Sequence, residues 1–188
     1  MAKSLKGERG LTDSLFFDSD CISAFLWVEK EWILTQMYMG RIVIPKPVYD
    51  ELSYPRVAHL KARVDKMLEN GEAQVETIGG DTKEYRQYVQ LTVGMEEGRA
   101  VIGKGEAAAI VLARNRDGVV ASNNLRDVCF YVKEYGMRHI TTGDILVEAF
   151  QNGVITQEQG NSIWKSMLAR RRKIGAGSFT DYLLGKYY

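Results

Sequence analysis

Residues 14–20 read Ser14-Leu15-Phe16-Phe17-Asp18-Ser19-Asp20, a short apolar run that ends in two aspartates. A continuous apolar run bounded by polar residues is typical of a strand buried on both faces, as in a parallel sheet. Other segments also place an acidic residue where an apolar stretch gives way to a helix, and these acids are Glu51, Glu106 and Asp127. The pattern predicts a chain in which strands and helices alternate.

The remaining sequence fits this alternation. Further strands are predicted at about residues 41–45, 74–78, 119–121 and 138–141. We expect residues 14–150 to form a three-layer α/β domain. Its central, mainly parallel sheet should have four or five strands, with helices on both sides.

Other parts of the chain receive simpler predictions. Residues 151–188 should form an appended C-terminal extension, with a helix to about Lys173 and a short aromatic tail from Phe179. Residues 21–39 are predicted as one helix, because Gly40 is the first clear stop signal after them. Residues 1–13 are expected to be a loose leader, and residues 94–105 a loop rich in glycine and glutamate.

Composition describes an ordinary soluble globular protein, with 188 residues of which 45% are hydrophobic and 26% charged. The net charge of +1 does not show whether the protein binds nucleic acid, because phosphate binding depends on a local basic patch. Cys21 and Cys129 lie far apart and are expected to be buried free thiols in a reducing compartment. Without a signal-peptide core or an apolar run of roughly 20 residues, we expect a cytoplasmic protein and no membrane partner.

The acidic residues should meet in space. Loops that leave the carboxyl ends of parallel strands share one edge of the sheet, which is where ligands bind in such folds. Carboxylates gathered there repel one another unless a cation neutralises them. A hard divalent cation with oxygen ligands, Mg²⁺ or Mn²⁺, is the ordinary solution.

Asp18 and Asp20 also have a simpler explanation, because an aspartate can cap the helix that follows the first strand. That role needs one residue, and Asp20 is the better placed of the two. Asp18 should then point into the sheet edge without a basic partner nearby. Because an unpaired buried carboxylate is costly, metal binding is the favoured interpretation of Asp18.

Glu51 and Glu106 are each expected in the first turn of a helix, where a carboxylate gains about 0.3–1 kcal/mol from the helix dipole. Taken singly, this structural explanation is the favoured one for both. Gly103 and Gly105 change the balance for Glu106, because glycines let the backbone approach another group closely.

Three polar residues near later helix starts remain open to both explanations. Asp127 is either a first-turn acid or a metal ligand. Asn124 is either the N-cap of the same helix or a group that orients a metal-bound water. Asp144 fits the N-cap of its own helix, with a functional role as the lesser alternative.

The strongest basic cluster is Arg170-Arg171-Arg172-Lys173. Cations in the last turn of a helix are stabilised by the dipole, which explains the cluster without a ligand. Arg170, Arg171 and Arg172 are equally candidates for contacts to a phosphate backbone. The sequence leaves these two interpretations even.

In order along the chain, these segments resemble the PIN-domain family of metal-dependent ribonucleases. The resemblance covers about residues 14–150 and has four parts: Phe16-Phe17-Asp18-Ser19-Asp20, Pro45-Lys46-Pro47-Val48-Tyr49-Asp50-Glu51-Leu52, Gly105-Glu106-Ala107-Ala108-Ala109-Ile110, and Ser122-Asn123-Asn124-Leu125-Arg126-Asp127-Val128. No single motif is specific to the family, and the resemblance rests on four motifs in order with compatible spacing. A second form of the last motif has acids where Asn123 and Asn124 stand, so the fourth acidic position is the least defined.

The resemblance implies Mg²⁺- or Mn²⁺-dependent cleavage of single-stranded RNA. Asp18, Glu106 and Asp127 would hold the metal, and Glu51 would complete the catalytic set. Many bacterial members are toxins of toxin–antitoxin pairs, which implies an antitoxin partner, and homodimers are expected by the same resemblance.

Two rival hypotheses remain. A PIN-like fold can bind nucleic acid or protein without cleavage, and the asparagines at 123 and 124 keep this open. Asp18-Ser19-Asp20 is also similar to the nucleophile motif of haloacid-dehalogenase-like phosphatases. That family needs a later aspartate pair, which the segment at Asp144 lacks, and it gives Glu51 and Glu106 no role.

Overall fold

A computed structural model describes residues 13–94 and 101–187 of the chain. The predicted leader therefore lies outside the described residues except for Asp13. Half of the loop expected at residues 94–105, namely residues 95–100, lies outside them as well. The described residues include all the strands predicted for the three-layer domain.

The sheet has five strands, and all of its pairings are parallel. Their order is β3-β2-β1-β4-β5, with bounds β1 Leu15–Phe17, β2 Ile42–Pro45, β3 Ala73–Glu76, β4 Val119–Ala121 and β5 Arg138–Ile140. The first strand of the sequence is thus the central strand. Its two neighbours, β2 and β4, end at the same edge of the sheet, as the sequence predicts.

Helices connect the strands, together with one short 3₁₀ helix at Pro55–Val57. Their bounds are α1 Ser19–Leu26, α2 Glu31–Tyr38, α3 Lys46–Glu51, α4 Ala58–Glu69, α5 Lys83–Val93, α6 Lys104–Asn115, α7 Leu125–Glu134, α8 Thr142–Gln151, α9 Gln157–Ala169 and α10 Phe179–Tyr187. None of these helices, within the described part of the chain, is long and apolar enough to cross a membrane.

The two faces of the sheet carry separate hydrophobic clusters, because successive side chains of a strand point to opposite faces. Leu15 and Phe17 pack in one cluster, which draws residues from α1, α2, α4, α8, α9 and α10. Phe16 packs in the other, with residues of α5, α6 and α7. A sheet between two helical layers confirms the predicted three-layer α/β/α fold.

The single helix expected at residues 21–39 is wrong, because two helices occupy that region. α1 ends where Glu29 adopts a left-handed backbone conformation with φ of 58°. The Lys30 N–H then bonds to the Phe25 carbonyl at 3.0 Å, which closes the helix end in the manner of a C-cap. The sequence lacks a glycine at this point, so the usual stop signal is missing.

The predicted tail from Phe179 is also wrong, since these residues form the helix α10. Ser178 stabilises the start of α10 by accepting a hydrogen bond from the Asp181 N–H at 3.0 Å. Phe179 is fully buried and lies so close to Gly160 that a β-carbon there would be 2.4 Å from the ring. This contact holds α10 against α9.

The C-terminal extension shares the core of the sheet. Trp164 and Phe179 belong to the same hydrophobic cluster as Leu15 and Phe17. The indole N–H of Trp164 also bonds to the Ala176 carbonyl at 3.0 Å. The division of the chain at residue 150 stays a prediction, and the packing that surrounds it is continuous.

Candidate active site

The predicted site residues lie where the central strands end. Asp18 directly follows β1, and Glu51 is the last residue of α3, which follows β2. Glu106 and Asp127 lie in the first turns of α6 and α7. The first-turn position expected for Glu51 is therefore wrong, so the positive end of the α3 dipole does not explain this carboxylate.

Asp18 is the most buried of these acids, with 1% of its surface exposed. One carboxylate oxygen accepts the Cys21 N–H at 2.7 Å, so Asp18, and not Asp20, caps α1. The other oxygen accepts the hydroxyl of Ser122, which follows β4. Burial raises the pKa of Asp18 to about 7, aided by the charges of Asp20 and Glu106 and opposed by these two hydrogen bonds.

Glu51 is held by hydrogen-bond donors from two neighbouring segments. The Ser19 hydroxyl donates to Oε2, and the backbone of Gly105 donates a further hydrogen bond. Burial raises the pKa of Glu51, and the charges of Glu106 and Asp20 act in the same direction. Glu51 therefore lies within electrostatic reach of the other acids.

The two glycines before Glu106 have the role that the sequence predicts for them. A β-carbon on Gly105 would lie 2.9 Å from Ser19 Oγ and 3.5 Å from Glu51 Oε1. A β-carbon on Gly103 would lie 2.1 Å from Glu106 Oε2. Because real β-carbons do not come within 2.9 Å of another atom, Gly105 is what lets α6 begin this close to Ser19, whereas the Glu106 carboxylate beside Gly103 could shift.

Asn124 joins the remaining two acids. Its side-chain amide donates to Glu106 Oε1 at 3.2 Å and to Asp127 Oδ2 at 2.9 Å. Asn124 occupies the N-cap position of α7, as expected, but its side chain makes no capping hydrogen bond. The amide instead lies between two carboxylates, where it supplies a partial positive charge.

We call Asp18, Glu51, Glu106 and Asp127 the acidic cluster. Glu106 raises the pKa of both Asp18 and Glu51, and Asn124 connects it to Asp127. The oxygen donors suit Mg²⁺ or Mn²⁺. Among the residues that the structure describes, however, no three acidic, histidine or cysteine side chains are close enough to form a ready metal-binding group.

Hydrogen bonding explains why the carboxylates of the acidic cluster do not lie closer together. Donors from the protein occupy carboxylate oxygens in every part of the acidic cluster, and the like charges repel one another. Ser19 and Ser122 are two of these donors, and the sequence interpretation missed both. Their positions could have indicated this role, because Ser19 lies two residues after β1 and Ser122 lies one residue after β4.

Asp144 does not join the acidic cluster. It is the third residue of α8 and forms a capping box with Thr141, which is the true N-cap. Burial acts to raise the pKa of Asp144, but hydrogen bonds from Lys186, Thr141 and Tyr182 outweigh it and hold the pKa below its usual value. Asp144 thus serves to dock α10 on α8.

The basic residues divide between two surfaces. α9 ends at Ala169, and Arg171 has a left-handed conformation with φ of 58°. Arg170 lies over the Trp27 ring at 5.5 Å, away from the acidic cluster. Arg171, Arg172 and Lys173 line a cavity of about 220 Å³ together with Asp20 and Asn123, and we call this cavity the basic pocket.

Asp20 and Asn123 connect the basic pocket to the acidic cluster. Asp20 is exposed, lies 3.9 Å from the Arg172 guanidinium, and influences the pKa of both Asp18 and Glu51. Asn123 is fixed by the start of α8, because it accepts the Thr142 N–H at 2.9 Å and donates to the Thr142 hydroxyl at 2.8 Å. A structural role accounts for Asn123.

Comparisons with known proteins identify the family of this chain. A family model described as PIN domain matches residues 15–180. A solved structure of VapBC2 from Rickettsia felis bound to a DNA fragment from their promoter is similar at 13% identity and a TM-score of 0.46, over 68% of this chain and 97% of that chain. No curated protein matches the chain. Because the family model spans most of the sequence, the chain belongs to the PIN-domain family.

Proposed function

We propose that this protein is a Mg²⁺- or Mn²⁺-dependent endoribonuclease that cleaves single-stranded RNA. One observation carries the proposal: the acidic cluster draws side chains from separate segments to the carboxyl edge of the central strands, where hydrogen bonds and mutual effects on their pKa values link them. Burial of Asp18 makes its negative charge expensive unless a cation accompanies it. Membership of the PIN-domain family agrees with this chemistry.

Asp18, Glu106 and Asp127 would hold the cation, directly or through water. A divalent ion bound there lowers the pKa of a coordinated water molecule and offsets the negative charge on the reacting phosphate. Glu51 completes the site, where its carboxylate positions a water molecule. Ser19 and the Gly105 backbone keep Glu51 in place through their hydrogen bonds.

The basic pocket would receive the RNA backbone. Arg171, Arg172 and Lys173 present cations beside Asp20, next to the acidic cluster. Cationic contacts of this kind bind phosphate without reading sequence. Arg170 is a weaker candidate for contacting the RNA backbone than the sequence indicates, because its guanidinium lies over the Trp27 ring.

The test is cleavage of single-stranded RNA with and without divalent cations. We expect Glu106→Gln to abolish metal-dependent cleavage while the circular dichroism spectrum stays that of the wild type. Glu69→Gln, at an exposed position of α4, is the matched control and should cleave normally. Equal cleavage in EDTA and in Mg²⁺, or a fully active Glu106→Gln variant, would overturn the proposal.

Binding without cleavage is the second candidate function. The Asn124 amide between Glu106 and Asp127, and the lack of a ready three-ligand group among the described residues, favour it. Isothermal titration with Mn²⁺ separates the two candidates. Tight binding that Glu106→Gln removes supports the nuclease, whereas no heat at millimolar Mn²⁺ supports a binding module.

A toxin role is also part of the proposal, with a cytoplasmic antitoxin as partner and a homodimer as the assembly. These parts follow from the family resemblance. Finding a gene for a small DNA-binding protein beside this one would support the antitoxin, and co-purification of the two products would test it. Size-exclusion chromatography with light scattering tests the homodimer.

A further inference from the structure

A second cavity borders the acidic cluster and shares no residue with the basic pocket. Its volume is about 320 Å³, and it is lined by Pro47, Asp50, Glu51, Tyr54, Tyr88 and Lys104. This size lies at the lower end of the range for small-ligand sites, which is ~300–1,000 Å³. Since Glu51 lies in its wall, whatever occupies this cavity would be next to the acidic cluster.

Tyr54 presents an aromatic ring to solvent beside Glu51. It is 66% exposed and, among the described residues, belongs to neither hydrophobic cluster, so its ring is accessible to a ligand. Its backbone is extended, with φ of −64° and ψ of 141°, because Pro55 follows it and begins the 3₁₀ helix. The Tyr54 N–H also bonds to the Glu51 carbonyl at 3.4 Å, so the local backbone fixes this residue relative to the acidic cluster.

Tyr88 and Lys104 face the same cavity from other helices. Tyr88 is half-buried on α5, and burial and then the charge of Glu51 raise the pKa of its hydroxyl. Lys104 is the exposed first residue of α6, where a cation is unfavourable because it meets the positive end of the helix dipole. A helix-stabilising role therefore does not explain Lys104, which adds a cation to a cavity wall that also carries the carboxylates of Asp50 and Glu51.

We propose that this cavity is a base-binding subsite for single-stranded RNA, in which Tyr54 and Tyr88 stack on an unpaired base and Lys104 contacts an adjoining phosphate. The inference rests on the proposed function and adds a reason for its substrate class. Aromatic side chains bind bases by stacking, which tolerates any base but requires one that is not already stacked in a duplex. With the basic pocket as a separate phosphate site, the chain would contact RNA at two places around the acidic cluster.

Fluorescence anisotropy tests the subsite, with the full chain in EDTA and a short labelled oligoadenylate as the probe. Stacking on one base contributes a factor of roughly 5 to 150 in affinity, so Tyr54→Ala should raise the Kd by that factor. Tyr54→Phe keeps the ring and should stay within about twofold of the wild type. Trp32→Ala is the matched control, since Trp32 is an exposed aromatic residue on α2 that does not line the cavity.

The outcomes separate this inference from the proposed function. A Tyr54→Ala variant that binds like the wild type, or a Trp32→Ala variant that weakens equally, overturns the subsite even if the protein cleaves RNA. Tyr54-dependent binding without any metal-dependent cleavage overturns the nuclease and leaves the subsite standing. A wild-type chain that binds no oligoadenylate overturns the subsite, and a duplex probe should show no effect of Tyr54→Ala.

Discussion

Replacing Asp18 by Asn should stabilise the metal-free protein at neutral pH. The pKa of Asp18 is about 7 in the folded protein, against an ordinary value of 3.8. Because a tenfold change in proton affinity corresponds to about 1.4 kcal/mol, the ionised carboxylate costs the fold roughly 4 kcal/mol above pH 7. Asp18 is 1% exposed, so solvent screening reduces this figure little.

The sign follows from proton binding. Between pH 3.8 and about 7 the folded protein holds a proton on Asp18 that the unfolded chain has lost. Stability contributed by this group therefore falls as pH rises through that window, and the loss is complete above pH 7. Asn has no charge to bury and still accepts the Cys21 N–H that caps α1.

The assay is urea unfolding in EDTA, with the free energy of unfolding of Asp18→Asn compared with the wild type at pH 4 and pH 8. The difference between the two proteins should grow by up to about 4 kcal/mol in favour of the variant. Adding Mg²⁺ at pH 8 should stabilise the wild type alone, since the variant lacks a proposed ligand. A difference that stays constant with pH would refute the burial argument for Asp18.

Three further predictions concern the surroundings of the acidic cluster. Asn124→Asp replaces the hydrogen bonds to Glu106 and Asp127 by repulsion between like charges. The free energy of unfolding in EDTA should therefore fall by about 1–3 kcal/mol. Mn²⁺ should raise the free energy of unfolding of this variant by more than it raises that of the wild type. Unfolding with and without Mn²⁺ measures both effects, and an Asn124→Asp variant as stable as the wild type in EDTA would contradict the geometry. Replacing Arg171, Arg172 and Lys173 together by Gln should reduce the slope of log binding constant against log salt concentration for RNA by up to about 2, because each phosphate contact contributes roughly 0.7. Arg170→Gln should leave this slope unchanged, since Arg170 lies over Trp27. Binding titrations at several salt concentrations measure both slopes. Gly105→Ala should lower the melting temperature and weaken cleavage, because its β-carbon would lie 2.9 Å from Ser19 Oγ; Gly80→Ala, with nothing within 4 Å, should do neither.

The layered fold could be predicted from the sequence because its signals are local. Continuous apolar runs such as Leu15–Phe17 and Ile42–Pro45 indicate strands buried on both faces. Asp18 at the end of the first run, the acids that follow later strands within a few residues, and the glycines before Glu106 also mark one edge of a parallel sheet before the strand order is known. Asp18, Glu51, Glu106 and Asp127 could be grouped for this reason.

The role of each side chain within that edge was decided by the tertiary structure. Asp18 and Asp20 are two residues apart, and only the backbone path after β1 makes Asp18 the cap and leaves Asp20 beside Arg172. Asn124 was equally suited to capping α7, and it bridges Glu106 and Asp127 because α6 lies next to α7 in the fold. Such contacts depend on segments that are distant in sequence, which no local pattern encodes.

The same distinction explains the surfaces around the acidic cluster. The sequence by itself determined that four arginine and lysine residues follow one another, but a left-handed turn at Arg171 separates Arg170 from the basic pocket. Tyr54, Tyr88 and Lys104 are not neighbours in sequence, and the packing of α3, α5 and α6 places them around one cavity. Periodicity and strand ends determine the layers, whereas the pairing of side chains across layers depends on how the helices pack on the completed sheet.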